Sequence, residues 1–488
     1  MTASGSSLQE RISTGVPGLD TVLCGGFRRG RMYMVMGMPG GGKTILANQT
    51  CFHHIRHGGR VLYVTLLAES HTELVHNLHS LSFFDSAHIP EGITYVSGFT
   101  ALEEGGLEAL LEVVRKEIKL RGTTLLVLDG LVAAEEAAPS PRALKKFIHN
   151  LQVVTGLLDC TTLVLTTGGG KGLRAEHTMV DGLIVLKQRT WGARTVRELS
   201  VRKFRGSAHL LGRHGFEITS DGLVVYPRLE TRVAASRPLP AERQERRTFG
   251  IASLDAMLQG GLPSGSTTFL YGPPGSGKTL LGLHFLSQGA RREELSHYFA
   301  FYDSPPRLIA QARGVGMELL PLLERGSLEL SFRPPVENLL DKLGDELLRL
   351  VRERGVRRLF LDGYEALRRA SHQHDRVGHF LAALVNECRE RDVTLIFSSE
   401  TPVAFGPEVS FPLRGLSMVA ENILYLRSVE LRARMRRFLC VLKMRNSGYD
   451  PALRELFIGE RGMELGQVLE EGEQLLTGLA RIPPNRGL

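Results

Sequence analysis

Tryptophan occurs once in this 488-residue chain, and aromatic residues together make up only 7% of it. Aromatic side chains interleaved with basic ones, the stacking platform of single-strand nucleic-acid binders, are not evident. Cysteine is also scarce. Five residues, at 24, 51, 160, 388 and 440, are odd in number and never in C-x-x-C spacing. That argues against a disulfide scaffold and fits free thiols in a reducing cytoplasm. His53 and His57 lie four apart on a predicted helix, but no acidic or cysteine partner stands at a zinc-motif interval. No apolar run reaches 18 residues, and the start, Met1-Thr2-Ala3-Ser4-Gly5, lacks the basic and apolar regions of a signal. A charge of +8, from 60 basic against 52 acidic residues, is a mild excess for so long a chain. It reads as a solvated mixed-charge surface before it reads as a nucleic-acid face.

What the chain does have is glycine in two special places. Gly37-Met38-Pro39-Gly40-Gly41-Gly42-Lys43-Thr44 and Gly272-Pro273-Pro274-Gly275-Ser276-Gly277-Lys278-Thr279 both satisfy G-x-x-x-x-G-K-[ST]. Glycines let the backbone curl so that consecutive N–H groups point at phosphate oxygens, and the following helix adds its positive end. Lysine then reaches the β- and γ-phosphates while the threonine hydroxyl ligates Mg²⁺. One match could arise by chance; two in register indicate a nucleoside triphosphate bound twice per chain.

The second loop starts 235 residues after the first (272 against 37), and other features keep almost that offset. Ser13-Thr14-Gly15-Val16-Pro17-Gly18-Leu19-Asp20 matches Thr248-Phe249-Gly250-Ile251-Ala252-Ser253-Leu254-Asp255, each followed by a Gly-Gly pair at 25–26 and 260–261. Strand-like runs precede both loops. Leu125-Leu126-Val127-Leu128-Asp129 and Arg358-Leu359-Phe360-Leu361-Asp362 read as central parallel strands ending in an acid. An aspartate there faces the phosphates and holds Mg²⁺ through water, the Walker B role. With 42% hydrophobic and 23% charged residues, the chain suits two domains of about 240 residues, each with alternating strands and helices around a parallel sheet. We expect a first domain over 1–232, a linker over 233–247 in a polar, proline-bearing stretch, and a second domain over 248–488.

These residues resemble the KaiC-type ATPases, tandem RecA-like proteins whose hallmark T-G-[IV]-P-G-L-D is met in full by Thr14 to Asp20. The second copy matches loosely, and Leu476 to Arg481 looks like the family's terminal segment. The resemblance implies a fold of two RecA-like P-loop domains and ATP with Mg²⁺ as cofactors. It also implies a cytoplasmic hexamer of two stacked rings that signals to a partner protein. In that geometry a K-x-R pair from the neighbouring subunit reaches the γ-phosphate. Lys203-Phe204-Arg205 and Lys443-Met444-Arg445 fit it, offset by 240 (443 against 203). Without the resemblance either pair reads as a solvated strand face.

The chain departs from the pattern at the water-activating acids. The family carries two adjacent glutamates after the second strand; here Ala68-Glu69 and Tyr302-Asp303 stand there, leaving Glu69 and Asp303 as the candidate water-orienting carboxylates. Aspartate is shorter by one methylene, and a misplacement of about 1 Å can cost about 10²-fold. The expectation is slow hydrolysis, slower in the second domain. The family's autophosphorylated pair falls on Ser417 and Met418, so no phosphorylation clock is expected. Thr166 to Lys171 reads as a glycine-rich turn where the family has T-T-E. Arg432, Arg434 and Arg436 share a strand face, and Arg28-Arg29 and Glu242 to Arg247 read as exposed loop charges. The rival functions are a non-hydrolysing scaffold held together by ATP and, with less support, a DNA-dependent RecA relative.

Overall fold

The computed structural model describes residues 11–66, 71–167, 178–232, 245–371, 373, 375–401, 419–431 and 434–468. The chain divides into two compact units, 1–232 and 233–488. Each is a nine-stranded, mostly parallel sheet flanked by helices, so the chain carries two tandem RecA-like domains. In the first unit the loop-bearing strand Met32–Met36 lies between Thr161–Thr166 and Gly182–Trp191, parallel to both. Leu125–Asp129, Val61–Thr65 and Ile93–Ser97 continue the parallel sheet on one side. Arg194–Phe204, His214–Thr219 and Gly222–Tyr226 close the other side as an antiparallel meander. The second unit repeats this order around Thr267–Gly272.

The strands are apolar on both faces because helices cover both. Tyr33, Val35, Leu125 and Val127 join one core while Met32, Met34, Leu126 and Leu128 join the other, across the sheet. In the second unit Phe269 and Tyr271 stack at 5.4 Å, and Phe269 meets Phe397 at 4.9 Å.

The lead-in segments also repeat, and their residues explain the hallmark motif. Asp20 accepts the Thr14 amide at 2.9 Å and the Ser13 hydroxyl at 2.6 Å; Asp255 accepts the Phe249 and Gly250 amides at 2.7 and 3.0 Å. Gly18 has φ 78°, and a Cβ there would lie 1.9 Å from the Val225 carbonyl oxygen. The matching Ser253 instead accepts the Leu465 amide at 2.9 Å, which is why the second copy departs from the hallmark. Gly18→Ala therefore combines left-handed strain with a backbone clash. It should destabilise the first unit by about 2 kcal/mol or more. Urea denaturation of the full chain reads this as an earlier first-unit transition; an unchanged midpoint would refute the strain.

The far end of the expected linker differs from its reading: Arg246–Arg247 is a short strand that pairs with Leu262–Pro263. Arg247 is no exposed charge. It is buried with Glu294 at 2.6 Å and Asp392 at 3.3 Å, carboxylates that compensate its desolvation. Residues 233–244 of the expected linker lie outside the described residues, as do Arg432 and the terminal segment 476–481. Trp191 sits at a hairpin turn, paired with Arg194, and four of the five free thiols are buried. Among the described residues no helix is long and apolar enough to cross a membrane.

Candidate nucleotide site

Both glycine-rich loops turn directly from strand into helix. Gly42 and Gly277, at φ 94° and 102°, cap helices Lys43–Arg56 and Lys278–Arg291. At either position a Cβ would also press on a side chain of the meander at 2.9 Å, Ile218 or Ile458. The helix amides therefore open toward the loop, where an anion is favoured.

In each unit the loop lysine turns back on its own loop. Lys43 donates to the carbonyls of Gly37 at 2.7 Å and Met38 at 3.1 Å; Lys278 donates to Gly272 and Pro273, both at 2.9 Å. Burial lowers the pKa of both ammonium groups, opposed by Asp129 for Lys43 and by Glu400, Asp362 and Glu365 for Lys278. The helix then presents a threonine to the strand-end acid: Thr44 to Asp129 at 3.3 Å, Thr279 to Asp362 at 3.1 Å. A hydroxyl and a carboxylate side by side, oxygen donors only, suit Mg²⁺, which takes one or two protein oxygens beside phosphate and water. Loop, lysine, threonine and aspartate thus come together in both units as their spacing implied.

The sequence reading missed a third partner of the strand-end acid. Tyr63 donates to Asp129 at 2.6 Å, and Tyr298 donates to Asp362. Both tyrosines are fully buried, and burial followed by the adjacent carboxylate pushes their pKa well up, so they stay protonated donors. The 235-residue offset also relates Tyr63 to Tyr298, and that recurrence was the available signal. Burial raises the pKa of Asp129, against the hydrogen bonds from Tyr63 and Thr44 and the charge of Lys43. A raised carboxyl pKa means that ionised Asp129 costs folding stability as pH climbs through its folded value. Asp129→Asn should therefore raise the melting temperature of the nucleotide-free protein at pH 7 and weaken the extra stabilisation by Mg²⁺·ATP. Thermal melts with and without nucleotide test both; a lower nucleotide-free melting temperature would contradict the assignment.

The K-x-R pairs occupy one register position in both units. Lys203 faces Leu183 and Lys443 faces Ile423, each next to a bulge. Lys203 donates to the Thr178 carbonyl at 2.5 Å and Arg205 to the same oxygen at 3.1 Å; Lys443 donates to Ala420 at 2.7 Å. They lie at the wrong end of the sheet for their own loop. Leu183, opposite Lys203, pairs with Met34, and the loop begins only at Gly37, three residues on. At about 3.3 Å per residue that separation is about 10 Å, and Arg205 stands farther still.

Glu69 lies outside the described residues, as do Ser417, Met418 and the Gly168–Lys171 stretch. Asp303 is described; its carboxylate pairs with Arg307 one helical turn on, at 3.6 Å. Counted from the equivalent strand ends Thr65 and Ala300, Asp303 is the third residue and Glu69 the fourth, so the two acids are not in strict register. The second unit's site opens into a cavity of about 430 Å³ whose lining includes Lys278, Thr279, Tyr302, Asp303, Glu365 and Glu400. Of these, Glu365 and Glu400 were not singled out by the sequence. Arg437 also reaches the loop, donating to the Gly275 carbonyl at 3.0 Å. His53 and His57 meet ring to ring at 4.3 Å, and no metal-like cluster of histidine, cysteine and acid occurs among the described residues.

A family model described as the KaiC ATPase matches residues 12–230 and 248–470, nearly the whole of both units. The chain belongs to the KaiC ATPase family. Among curated proteins it is 27% identical to the circadian clock oscillator protein KaiC of a Picosynechococcus species, over 96% of this chain and 92% of that protein. It is 26% identical to the circadian clock oscillator protein KaiC 1 of a Synechocystis species, over 96% of this chain and 91% of that protein. The KaiC of a Nostoc species gives the same identity and coverage. The doubled match agrees with the doubled fold, and the KaiC relationship identifies the two loops as parts of nucleotide-binding domains.

Proposed function

We propose that this KaiC-family member binds ATP at both loops, hydrolyses it slowly, and assembles through it into a double-ring hexamer whose nucleotide state a partner protein reads. One observation supports shared sites above all. In both units the lysine of the K-x-R pair stands about 10 Å along the sheet from its own loop, with the arginine farther away, yet at a matched register position. A cation pair so placed serves a neighbour's nucleotide, which makes turnover depend on assembly.

In this reading Lys43 and Lys278 leave their loop carbonyls for the β- and γ-phosphates, and the loop amides from residues 37–44 and 272–279 cradle them. Thr44 with Asp129, and Thr279 with Asp362, hold or order Mg²⁺. Mg²⁺ held there would offset the negative charge on the transferring phosphoryl group. Tyr63 and Tyr298 keep each aspartate turned toward its threonine. Glu69 orients water in the first unit, while Asp303 and Glu400 are both at hand for that task in the second. Lys203 and Arg205, or Lys443 and Arg445, stabilise charge on the phosphoryl group of the adjacent subunit. A carboxylate that orients water contributes typically about 10²–10⁴ in rate. Neither unit keeps the adjacent pair of glutamates, which supports slow turnover.

Turnover measured with Glu69→Ala tests the hydrolytic reading of the first unit. A loss of about 10²-fold is expected with Lys278→Ala also present. An unchanged rate would move that unit to an ATP-held scaffold.

A further inference from the structure

The second unit has a carboxylate that its relationship to the first does not explain. Thr394–Glu400 is the strand immediately beside the loop-bearing strand, and its last residue, Glu400, pairs in register with Gly272, the first glycine of the loop. Asp303 follows a strand three places away across the sheet. The side chain of Glu400 is exposed at the cavity over Lys278, and its carboxylate has no hydrogen bond or ion pair among the described residues. Its backbone, by contrast, is held. Glu365 accepts the Ser399 hydroxyl and, at 3.4 Å, the Glu400 amide, while the next amide, Thr401, bonds Gly272 at 3.2 Å. Among the carboxylates that favour the charged form of Lys278, Glu400 acts more strongly than Asp362.

The first unit lacks these groups. Leu165 pairs with Asp129 as Ser398 pairs with Asp362, so Thr167 stands where the second unit has Glu400. By the same offset Val132 stands where it has Glu365. The acids therefore occur only in the unit whose residue after the second strand is the shorter, ion-paired Asp303.

Resting on the hydrolytic reading above, we propose that Glu400 is the catalytic carboxylate of the second unit, orienting the attacking water from the strand beside the phosphate loop. Glu400 accepts a proton from that water as its oxygen bonds to the γ-phosphorus. The bond from phosphorus to the bridging oxygen breaks, and ADP departs with that oxygen. The proton then passes to phosphate or solvent. Glu365 positions the strand end and touches no reacting atom.

The test uses the full chain carrying Lys43→Ala, so that only the second site turns over. Glu400→Gln in that background should lower turnover by about 10²-fold or more while affinity for a fluorescent ATP analogue stays within about threefold. Asp303→Asn should cost less than about tenfold. Turnover that survives Glu400→Gln, or that Asp303→Asn abolishes, overturns the assignment alone. Loss of analogue binding with Glu400→Gln also overturns it, since Glu400 would then be a binding residue. A Lys43→Ala protein no faster than the Lys43→Ala/Lys278→Ala double variant sinks the hydrolytic reading of this unit together with the proposal.

Discussion

Arg205→Ala, with Lys278→Ala present to silence the second site, is expected to lower ATP turnover about 10³-fold. The side chain lies far from the loop of its own unit. Arg205 and Lys203 both donate to Thr178, and the strand position of Lys203 is about 10 Å from Gly37, with Arg205 farther along. If the neighbour's site is the target, activity is recoverable by mixing. With Lys278→Ala in both, subunits carrying Arg205→Ala keep a sound first-unit loop, and subunits carrying Lys43→Ala keep a sound finger. Neither preparation should turn over by itself, while a co-assembled mixture regains activity at interfaces that join one sound loop to one sound finger. A mixture no more active than its components would show that each site uses its own cations, and the shared-site account would fall.

Lys43→Ala together with Lys278→Ala should bring turnover to background and abolish stabilisation by ATP. At 100 times its dissociation constant, a ligand specific for the folded state stabilises by about 2.7 kcal/mol. For units of this size that is a rise of roughly 5–10 °C in melting temperature. The double variant should show none of it. Each single variant reports one unit: the loss of rate in Lys43→Ala measures the first site, that in Lys278→Ala the second. A double variant that still melts higher with ATP would mean that nucleotide binds elsewhere than the two loops.

Much of this site can be read in the chain because its chemistry is local. A glycine-rich loop fixes where backbone amides point, and lysine and threonine follow within two residues of its last glycine. Asp129 and Asp362 were legible for a different reason: each ends an apolar run that only a buried strand explains, and such a strand delivers its last residue to the edge where loops meet. Repetition supplied the rest, pairing Lys203 with Lys443 where either alone reads as surface charge.

What stayed hidden depends on register between strands distant in sequence. Nothing around Glu400 announces that it ends beside Gly272, because that pairing joins residues more than a hundred apart. Tyr63 looks like any strand aromatic until the sheet sets it beside Asp129. Arg247 sits in a polar stretch that composition assigns to a linker, and its carboxylate partners Glu294 and Asp392 come from separate elements. Ser253 looks like decay of the hallmark glycine, yet it replaces a close backbone approach with a hydrogen bond to Leu465.

In the proposed function, ATP both assembles this protein and is consumed at the interfaces it creates. Mass determination of the intact chain with ATP and with ADP, alongside steady-state hydrolysis across a dilution series, tests it most directly. Hexamers are expected with ATP, smaller species with ADP, and a slow rate per subunit that falls as dilution breaks the assembly. Hexamers with no turnover above background, or turnover that persists unchanged in isolated subunits, would contradict it.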